Sequence, residues 1–380
     1  MKQTRRALLA SVATGVAAGA GCAAPRGTNS EGGESPYTQV YNEVLPAIVV
    51  VHTAENDRKV GQGSGFAIDP RTIVTNHHVV DPGSEITVRL ADGQWADASV
   101  VGSDRHSDLA VLELDSSVSV PKTLSFVAAP TPVGAEVVAI GAPFGLSESL
   151  SRGIVSARGR SVQGLSRFSI PAAIQTDTEI NSGSSGGPLV DLAGDVAGVV
   201  FASQGGNVGF AVSAELATRV IPELRETGSY DHSYLGVTIL TVEPQIADAN
   251  DLARPRGVLV VETTDGGPSD GVLQPSITDS GDVDADADDG DTEEPPANGT
   301  EPTPPSPDDP APEQPQSGAP AIPTGGDVIL AIGGSEINNT DELSRVLALE
   351  TRPGQTVPIR VLRDGKAVVV DVTLGTLPDA

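Results

Sequence analysis

Short runs of β-branched residues, separated by turn-forming residues, constrain the fold of this chain more than any other feature of its sequence. Ile48–His52 and Ile86–Leu90 are two examples, and Gly, Asn, Asp or Pro separates such runs. The other runs are Gly65–Ile68, Thr72–Thr75, Ala98–Val101, Ala110–Leu114, Glu136–Ile140, Gly153–Ala157, Ala173–Thr176, Leu189–Val190 and Val196–Phe201. Short strands at this spacing, without alternating helices, predict an all-β barrel or sandwich.

Two helices are predicted at the ends of this β-rich region. Val40, Val44 and Leu45 indicate a short amphipathic helix that Pro46 ends. Ala214–Arg225 indicates a closing helix before Gly228. We therefore expect a first domain over residues 37–230.

A second β-rich unit follows, and an unusual insertion divides it. Its strand-like runs are Tyr234–Thr241, Gly257–Glu262, Asp327–Ile332, Val357–Leu362 and Val368–Leu374, with a helical pattern at Asp341–Leu349. Between them, residues 275–324 hold 12 prolines and 13 acidic residues with no Lys or Arg. Such a composition cannot bury enough apolar surface to offset its ordering entropy. We expect a second domain over 233–274 and 326–376, split by a disordered acidic insertion at 275–325.

The N-terminal residues indicate export. Arg5-Arg6 precedes the apolar run Ala7–Gly21, which is too short and too rich in Gly and Ala for a membrane-spanning helix. Residues 1–22 resemble a twin-arginine export signal that ends in a lipobox-like sequence at Cys22, the only cysteine of the chain. This predicts a lipid anchor on Cys22 at the extracytoplasmic face of the membrane, with residues 23–36 as a flexible tether. The alternative is a plain signal peptide in which Cys22 is incidental.

The charge of the chain restricts its partners and its surroundings. The formal net charge is −28, from 51 acidic and 23 basic residues, of which only four are lysine. This balance argues against a nucleic-acid partner, because phosphate binding requires clustered cationic side chains. Acidity spread over a folded domain favours an environment of high salt, in which screening removes most of the self-repulsion. An ordinary acidic secreted protein is the alternative.

The sequence Asn181–Pro188 is the strongest local signal for chemistry. A serine nucleophile needs an exposed hydroxyl on a tight turn, with small neighbours whose N–H groups face the developing oxyanion. Gly183, Gly186 and Gly187 provide that freedom around Ser185. The N–H groups of Gly183 and Ser185 are the expected oxyanion hole, with Ser184 as a further donor. Taken alone, a Gly/Ser stretch is more often an ordinary loop.

Two other segments supply a general base and a carboxylate. His78 follows a predicted strand, and Asp108 begins another. The order His, Asp, Ser, with gaps of 30 and 77 residues, is the chymotrypsin-like order. An α/β-hydrolase would place its Asp and His after the serine, whereas only His232 follows Ser185. A non-catalytic peptide-binding chaperone on the same fold is the second alternative.

Six segments between residues 40 and 215 together resemble the HtrA/Deg family of serine proteases. They are Thr75-Asn76-x-His78-Val79-Val80, Ser107-Asp108-Leu109-Ala110-Val111-Leu112, Ile140-Gly141-x-Pro143-Phe144-Gly145, Gly153-Ile154-Val155-Ser156-Ala157, Gln175-Thr176-Asp177 with Gly183-x-Ser185-Gly186-Gly187-Pro188-Leu189, and Gly209-Phe210-Ala211-Val212. The resemblance implies a chymotrypsin-like double β-barrel with His78, Asp108 and Ser185 as catalytic triad. It prefers His78 to His77 and Asp108 to Asp104, and leaves His52, His106 and His232 as surface residues.

The resemblance also implies a substrate pocket. Segments 180–183 and 201–210 would wall it, with Ile180 and Phe201 as its apolar members, and it would accept small to medium aliphatic side chains. Glu179 lies six residues before Ser185, where trypsin-like enzymes hold the acid that selects basic side chains. Two interpretations of Glu179 remain open: a partly acidic pocket, or a solvated glutamate in a salt-adapted loop.

The second domain resembles a PDZ domain. Tyr234-Leu235-Gly236-Val237 looks like its carboxylate-binding loop, which would capture C-terminal peptides by strand addition. A plain docking domain is the alternative.

The family implies a homotrimer built through Tyr37 and Tyr41, and ATP-independent degradation of unfolded or misfolded exported proteins. No metal-ligand spacing such as His-Glu-x-x-His occurs in the sequence, so we expect neither a metal nor a cofactor.

Overall fold

The structure is a computed structural model that describes residues 34–56, 58–81, 83, 85–141, 149–164, 168–203, 208–277 and 322–378. The predicted export signal at 1–22 with Cys22, and nearly all of the tether at 23–36, lie outside these residues. Residues 142–145 of the Ile140–Gly145 motif and residues 278–321 of the predicted insertion also lie outside them.

A short helix precedes the first barrel. Helix α1 spans Pro36–Val44, and a single 3-10 turn at Leu45–Ala47 follows it. Val40 and Val44 are buried, as the amphipathic pattern predicts. They pack into the same core cluster as residues of the second barrel, so α1 is anchored to the protein by its apolar face.

The first barrel contains six antiparallel strands. They are β1 (Ile48–Glu55), β2 (Arg58–Ala67), β3 (Thr72–Thr75), β4 (Glu85–Leu90), β5 (Trp95–Asp104) and β6 (Leu109–Leu114), closed in the order β1-β2-β3-β6-β5-β4. One helical turn, α2 (His77–Val80), separates β3 from β4. Alternate residues of β4 are buried, which is the period-2 pattern of a strand with one face on a core.

The second barrel repeats this architecture. Its strands are β7 (Glu136–Gly141), β8 (Ser149–Gln163), β9 (Ser169–Thr176), β10 (Pro188–Val190), β11 (Val196–Ser203) and β12 (Gly209–Ser213), closed in the order β10-β11-β12-β9-β8-β7. Two closed six-stranded barrels confirm the predicted mainly β, chymotrypsin-like fold.

The predicted closing helix is observed as α3 (Ala214–Thr227). The hydroxyl of Ser213 accepts the N–H of Leu216 and caps its first turn. Gly228 ends it at φ +87, a left-handed conformation that glycine adopts without a Cβ penalty. The buried face of α3 carries Leu216, Val220 and Leu224 into the core of the barrels.

The second domain is a twisted sheet with two helices. Its elements are β13 (Ser233–Tyr234), β14 (Val237–Thr241), α4 (Pro244–Ala249), β15 (Val258–Thr263), β16 (Val328–Ile332), β17 (Ser335–Glu336), α5 (Thr340–Glu350), β18 (Thr356–Arg363), β19 (Lys366–Thr373) and β20 (Gly375–Thr376). The main sheet has the order β14-β15-β16-β18-β19, and β13 pairs with β20. The single strand predicted over Tyr234–Thr241 is therefore divided, because Gly236 turns the chain at φ +72.

The two ends of the insertion are held together. The N–H of Ile277 donates to the carbonyl of Thr324 at 2.7 Å, and the N–H of Thr324 donates back at 3.0 Å. The strand before the insertion, β15, also pairs directly with the strand after it, β16. Residues 275–277 and 322–325, which the composition placed within a disordered segment, thus belong to the ordered domain because backbone pairing satisfies them.

Helix α5 joins the second domain to the second barrel. The carboxylate of Asp341 accepts the N–H of Ser161 in β8 at 3.0 Å. From α3, Arg219 donates to the carbonyls of Leu349 and Thr351 at the end of α5. These last carbonyls have no partner inside the helix, so the guanidinium satisfies them and fixes the helix in place.

None of the helices within the described residues combines the length and the apolarity that crossing a membrane requires.

An ion pair between a buried carboxylate and a partly buried guanidinium ties the two halves of the second domain to one another. The Asp327 carboxylate is fully buried and accepts two hydrogen bonds from Arg363, at 2.8 and 2.7 Å, and one from the N–H of Gln274 at 3.0 Å. Arg363 also donates to the carbonyl of Val272. The hydrogen bond to Asp327, against the opposing effect of burial, raises the pKa of Arg363 above its usual value.

Replacement of Asp327 by asparagine should therefore destabilise the second domain by about 3 kcal/mol, because Arg363 is left without its counter-charge. Guanidinium denaturation of the full chain, followed by circular dichroism, measures the change. Asp265→Asn, an exposed carboxylate, is the matched control and should stay within about 0.5 kcal/mol of the wild type. Equal stability of the two variants would contradict the prediction.

Candidate active site

His78 and Asp108 meet at the edge of the first barrel. His78 lies in α2, and Asp108 lies in the turn between β5 and β6. The ring Nδ1 of His78 is 2.7 Å from Oδ2 of Asp108, and the backbone N–H of His78 donates to Oδ1 at 3.0 Å. Asp108 is fully buried, so its carboxylate is shielded from water. This arrangement holds the Nδ1 proton toward Asp108 and leaves Nε2 as an acceptor.

The backbone of Asp108 adopts an uncommon conformation to make this contact. Its φ is +55, which costs free energy for a residue that is not glycine. The side-chain amide of Asn76 donates to the Asp108 carbonyl at 2.8 Å and helps to fix it. His77 has no part in the pair, and its Nε2 lies 3.8 Å from an Asp81 carboxylate oxygen. Of these two histidines, the one that contacts Asp108 is His78.

Ser185 sits in a tight turn between the two barrels. The N–H of Ser64 in β2 donates to the Ser185 carbonyl at 2.8 Å, and the N–H of Gly186 donates to the Val200 carbonyl at 2.8 Å. Gly186 has φ +85, and a Cβ there would lie 2.1 Å from the Ser64 carbonyl oxygen. Only glycine fits this close approach of backbone to backbone.

The first barrel thereby brings Ser185 beside His78. The hydroxyl of Thr75 donates to the Ser64 carbonyl at 2.7 Å, and Thr75 is followed immediately by Asn76 and the helical turn of His78. Gly63 lies between Val79 and the Ser185 carbonyl, where a Cβ would be 2.6 Å from a Val79 methyl group. Sequence reasoning missed Ser64. The alternating glycines of β2 (Gly61, Gly63 and Gly65) were the available signal, since glycine in a strand often marks a close backbone approach.

The hydroxyl of Ser185 does not complete the triad in this conformation. It donates to the carbonyl of Phe201 at 3.4 Å, a long hydrogen bond, and within the described residues no hydrogen bond joins it to His78. The structure thus forms the His78–Asp108 pair and places the Ser185 loop next to it.

The predicted oxyanion donors differ from one another in their bonding. Among the described residues, neither the N–H of Gly183 nor that of Ser185 donates to a protein acceptor. The N–H of Ser184 donates to the Asn181 carbonyl at 2.9 Å, so it is occupied within the loop. The Gly183 carbonyl accepts the Ser64 hydroxyl at 2.7 Å, which orients the Gly183 peptide. Gly183 and Ser185 therefore have free donors, and Ser184 does not.

The three residues of the predicted pocket lie in different environments. Glu179 is exposed, and its Oε1 accepts the side-chain amide of Asn181 at 3.1 Å. Ile180 is buried and packs against Gly209. A Cβ at Gly209 would lie 2.4 Å from the terminal methyl group of Ile180. The ring of Phe201 is fully buried in the barrel core, 6.3 Å from the ring of Phe210. Phe201 therefore faces Ser185 with its backbone carbonyl and not with its ring. Residues 204–207 of the predicted pocket wall lie outside the described residues.

Two histidines assigned to the surface are in fact buried. His106 and His232 are only 9% and 8% exposed, and Nε2 of His232 is 2.7 Å from Oδ2 of Asp104. The surface assignment was wrong because His232 is 128 residues from Asp104, and no local pattern indicates their contact. Burial opposes ionisation of Asp104, but the hydrogen bond and charge of His232, with those from Ser107 and His106, hold its pKa below the usual value.

The predicted peptide-binding loop of the second domain is tightly supported. Leu235 is buried and its carbonyl accepts the Ser269 hydroxyl at 2.6 Å, while the Gly236 carbonyl accepts the N–H of Thr264 at 2.9 Å. Tyr234 bonds through its hydroxyl to Thr264. Val237 begins β14, which pairs only with β15 in the described part of the chain. Strand β14 is therefore an edge strand, and α5 begins beside it at the Thr241–Thr340 contact.

No group of three or more His, Cys, Asp or Glu side chains within the described residues is arranged to hold a metal ion.

Comparison with known proteins agrees with this architecture. Residues 63–199 match the trypsin-like peptidase domain, and residues 233–374 match the PDZ domain. A probable periplasmic serine endoprotease, DegP-like, of Hahella chejuensis is 34% identical over 323 residues, which are 83% of this chain and 57% of that protein. Its counterpart in Pseudomonas savastanoi pv. phaseolicola is 40% identical over 213 residues, or 54% of this chain and 44% of that protein. The chain thus spans about half the length of these curated relatives.

Solved structures extend the similarity to both domains. The HtrA-type protease AlgW with tripeptide superimposes with a TM-score of 0.66 at 29% identity, covering 90% of this chain and 98% of that one. The serine endoprotease from Yersinia pestis gives a TM-score of 0.59 at 27% identity, covering 92% of this chain and 100% of that one. The chain therefore belongs to the HtrA/Deg family, with a trypsin-like peptidase domain followed by a PDZ domain.

Proposed function

We propose that this chain is a serine endopeptidase that degrades unfolded or misfolded exported proteins without ATP. The observation that carries the proposal is the 2.7 Å contact between His78 and the buried Asp108, made beside the loop that presents Ser185. A base oriented in this way can accept the proton of a nucleophile.

The reaction begins when the Ser185 hydroxyl turns from the Phe201 carbonyl toward Nε2 of His78. Oγ then bonds to the substrate carbonyl carbon while His78 takes its proton, and the N–H groups of Gly183 and Ser185 face the oxyanion. His78 returns the proton to the leaving amine as the C–N bond breaks, which leaves an acyl-enzyme. Water, deprotonated by His78, hydrolyses that ester and restores the Ser185 hydroxyl.

Peptide recognition by the second domain accompanies this activity in our proposal. The exposed edge of β14, next to the Leu235-Gly236 turn, can accept an extended peptide as an additional strand, and the turn can bind its C-terminal carboxylate. The partners would be the C-terminal peptides of unfolded proteins. A domain that only docks against the barrel through α5 is the alternative.

The first test is degradation of casein by the full chain, with Ser185→Ala as the matched variant, in low salt and in molar KCl. We expect the wild type to cut and the variant to lose at least about a thousandfold in rate. Activity should be higher in KCl if the acidic surface is adapted to salt. Added peptides with a free C-terminal carboxylate should stimulate cleavage, whereas amidated peptides should not.

If neither protein cuts casein under any of these conditions while both suppress aggregation, the proposed activity is wrong. The chain would then be a peptide-binding chaperone on a protease fold.

The pocket should select small to medium aliphatic side chains, and Glu179 should not contribute to that choice. Its carboxylate is solvent-exposed and bonded to Asn181. We expect Glu179→Ala to leave the cleavage sites in casein unchanged, as sequenced by mass spectrometry. Glu226→Ala, an exposed glutamate in α3, is the control. Loss of cleavage after Lys or Arg in the first variant alone would instead support an acidic pocket.

We further propose that the protein is an exported homotrimer attached to the membrane through lipid on Cys22. The trimer contact would include Tyr37 on α1, whose ring is already fixed within this chain. Its hydroxyl bonds to Glu136, and the Arg152 guanidinium lies 5.0 Å from its ring centre. Cys22→Ser should move the protein from the membrane fraction to the soluble fraction of the cell. Sedimentation of that soluble variant should then give three times the mass of one chain, and a single-chain mass would exclude the trimer.

A further inference from the structure

The turn that carries Asp108 is anchored at its other end by a buried carboxylate. Asp104 ends β5 and accepts the N–H of Ser107 at 2.9 Å, the N–H of His106 at 3.2 Å, and the Ser107 hydroxyl. Ser107 is fully buried and precedes Asp108 directly. The unusual φ of Asp108 is therefore set between two fixed points, Asp104 on one side and the contacts with Asn76 and His78 on the other.

The partner of Asp104 comes from the linker between the two domains. His232 lies just before β13, and its Nε2 contacts Oδ2 of Asp104 at 2.7 Å. Its ring packs edge-on against the rings of Tyr230 and His106, with centroids 4.7 and 5.5 Å away. Both members of the pair are more than nine-tenths buried, so neither can exchange its partner for water without structural change.

The same histidine is connected to the second domain. Its carbonyl accepts the N–H of Leu377, which follows β20. The neighbouring Tyr230 hydroxyl accepts Nε of Arg219, the residue that also bonds to the carbonyls at the end of α5. A cavity of about 150 Å³ adjoins His106 and His232 and is lined from the second domain by Ser344 and Leu347.

We propose that Asp104 and His232 are positioning residues for Asp108, so that the linker to the second domain helps to hold the active-site acid in place. This inference rests on the proposed protease function. Neither residue touches the substrate. Loss of either one releases the 104–108 turn, misplaces the Asp108 carboxylate and weakens its hold on the His78 ring.

The test compares Asp104→Asn, His232→Gln and the double variant with the wild type in the full chain. A fluorophosphonate, which loses fluoride to Oγ of Ser185, measures the rate of nucleophilic attack at a temperature where circular dichroism shows every variant folded. Each single variant should react about tenfold to a hundredfold more slowly. The double variant should be no slower than the slower single variant, because both changes break one contact.

Asp327→Asn is the matched control, since it breaks a buried carboxylate pair that lies within the second domain. It should lose stability but keep the wild-type reaction rate. Wild-type rates in Asp104→Asn and His232→Gln would overturn the inference. Equal slowing in Asp327→Asn would also overturn it, because the effect would then be one of general stability.

A second readout separates this inference from the proposed function. The proton between His78 Nδ1 and Asp108 gives a low-field NMR signal in the folded protein whether or not Ser185 reacts. If the wild type fails to react with the fluorophosphonate, the proposed function is wrong, and the signal alone decides the positioning role. A signal lost or shifted in Asp104→Asn supports that role, and an unchanged signal refutes it.

Should Asp104→Asn fail to fold, Ser107→Ala carries the same test, because it removes only one donor to Asp104.

Discussion

The backbone contact between Ser64 and Ser185 is the interaction on which the rest of the site depends. It joins β2 of the first barrel to the Ser185 loop of the second, and it requires Gly186 at the point of closest approach. The carbonyl of Ser64 accepts the Thr75 hydroxyl, which ties the same residue to the segment that carries His78. One hydrophobic cluster contains residues of both barrels, so this polar contact fixes the Ser185 loop on an interface that apolar packing already holds together.

Asp108 shows how burial and backbone strain are balanced around this contact. A fully buried carboxylate is unfavourable unless donors surround it, and the left-handed backbone of Asp108 adds a further cost. Two donors from His78 bond to the Asp108 carboxylate, and the Asn76 amide bonds to the Asp108 carbonyl. These contacts offset the cost of burial and the cost of the backbone conformation. Asp104 then fixes the start of the turn with three hydrogen bonds of its own, so a second buried acid supports the first.

The second domain is attached through polar contacts with buried or helix-terminal groups. Asp341 bonds to the backbone of β8, Arg219 satisfies the last carbonyls of α5, and His232 contacts Asp104. Such contacts depend on direction and distance, so a small displacement of the domain breaks them sharply. The Ser185 hydroxyl, bonded to the Phe201 carbonyl, makes no hydrogen bond to His78 within the described residues.

The sequence by itself determined the β-rich class, the closing helix, the order of His78, Asp108 and Ser185, and the family. These features depend on local periodicity, turn chemistry and short motifs, which neighbouring residues specify. Only the tertiary structure decided that Ser64 holds the Ser185 loop, that His232 is buried against Asp104, and that Phe201 turns its ring into the core. Each of these contacts joins residues far apart in the chain, and side-chain direction there is set by the packing of whole barrels, which no local pattern encodes.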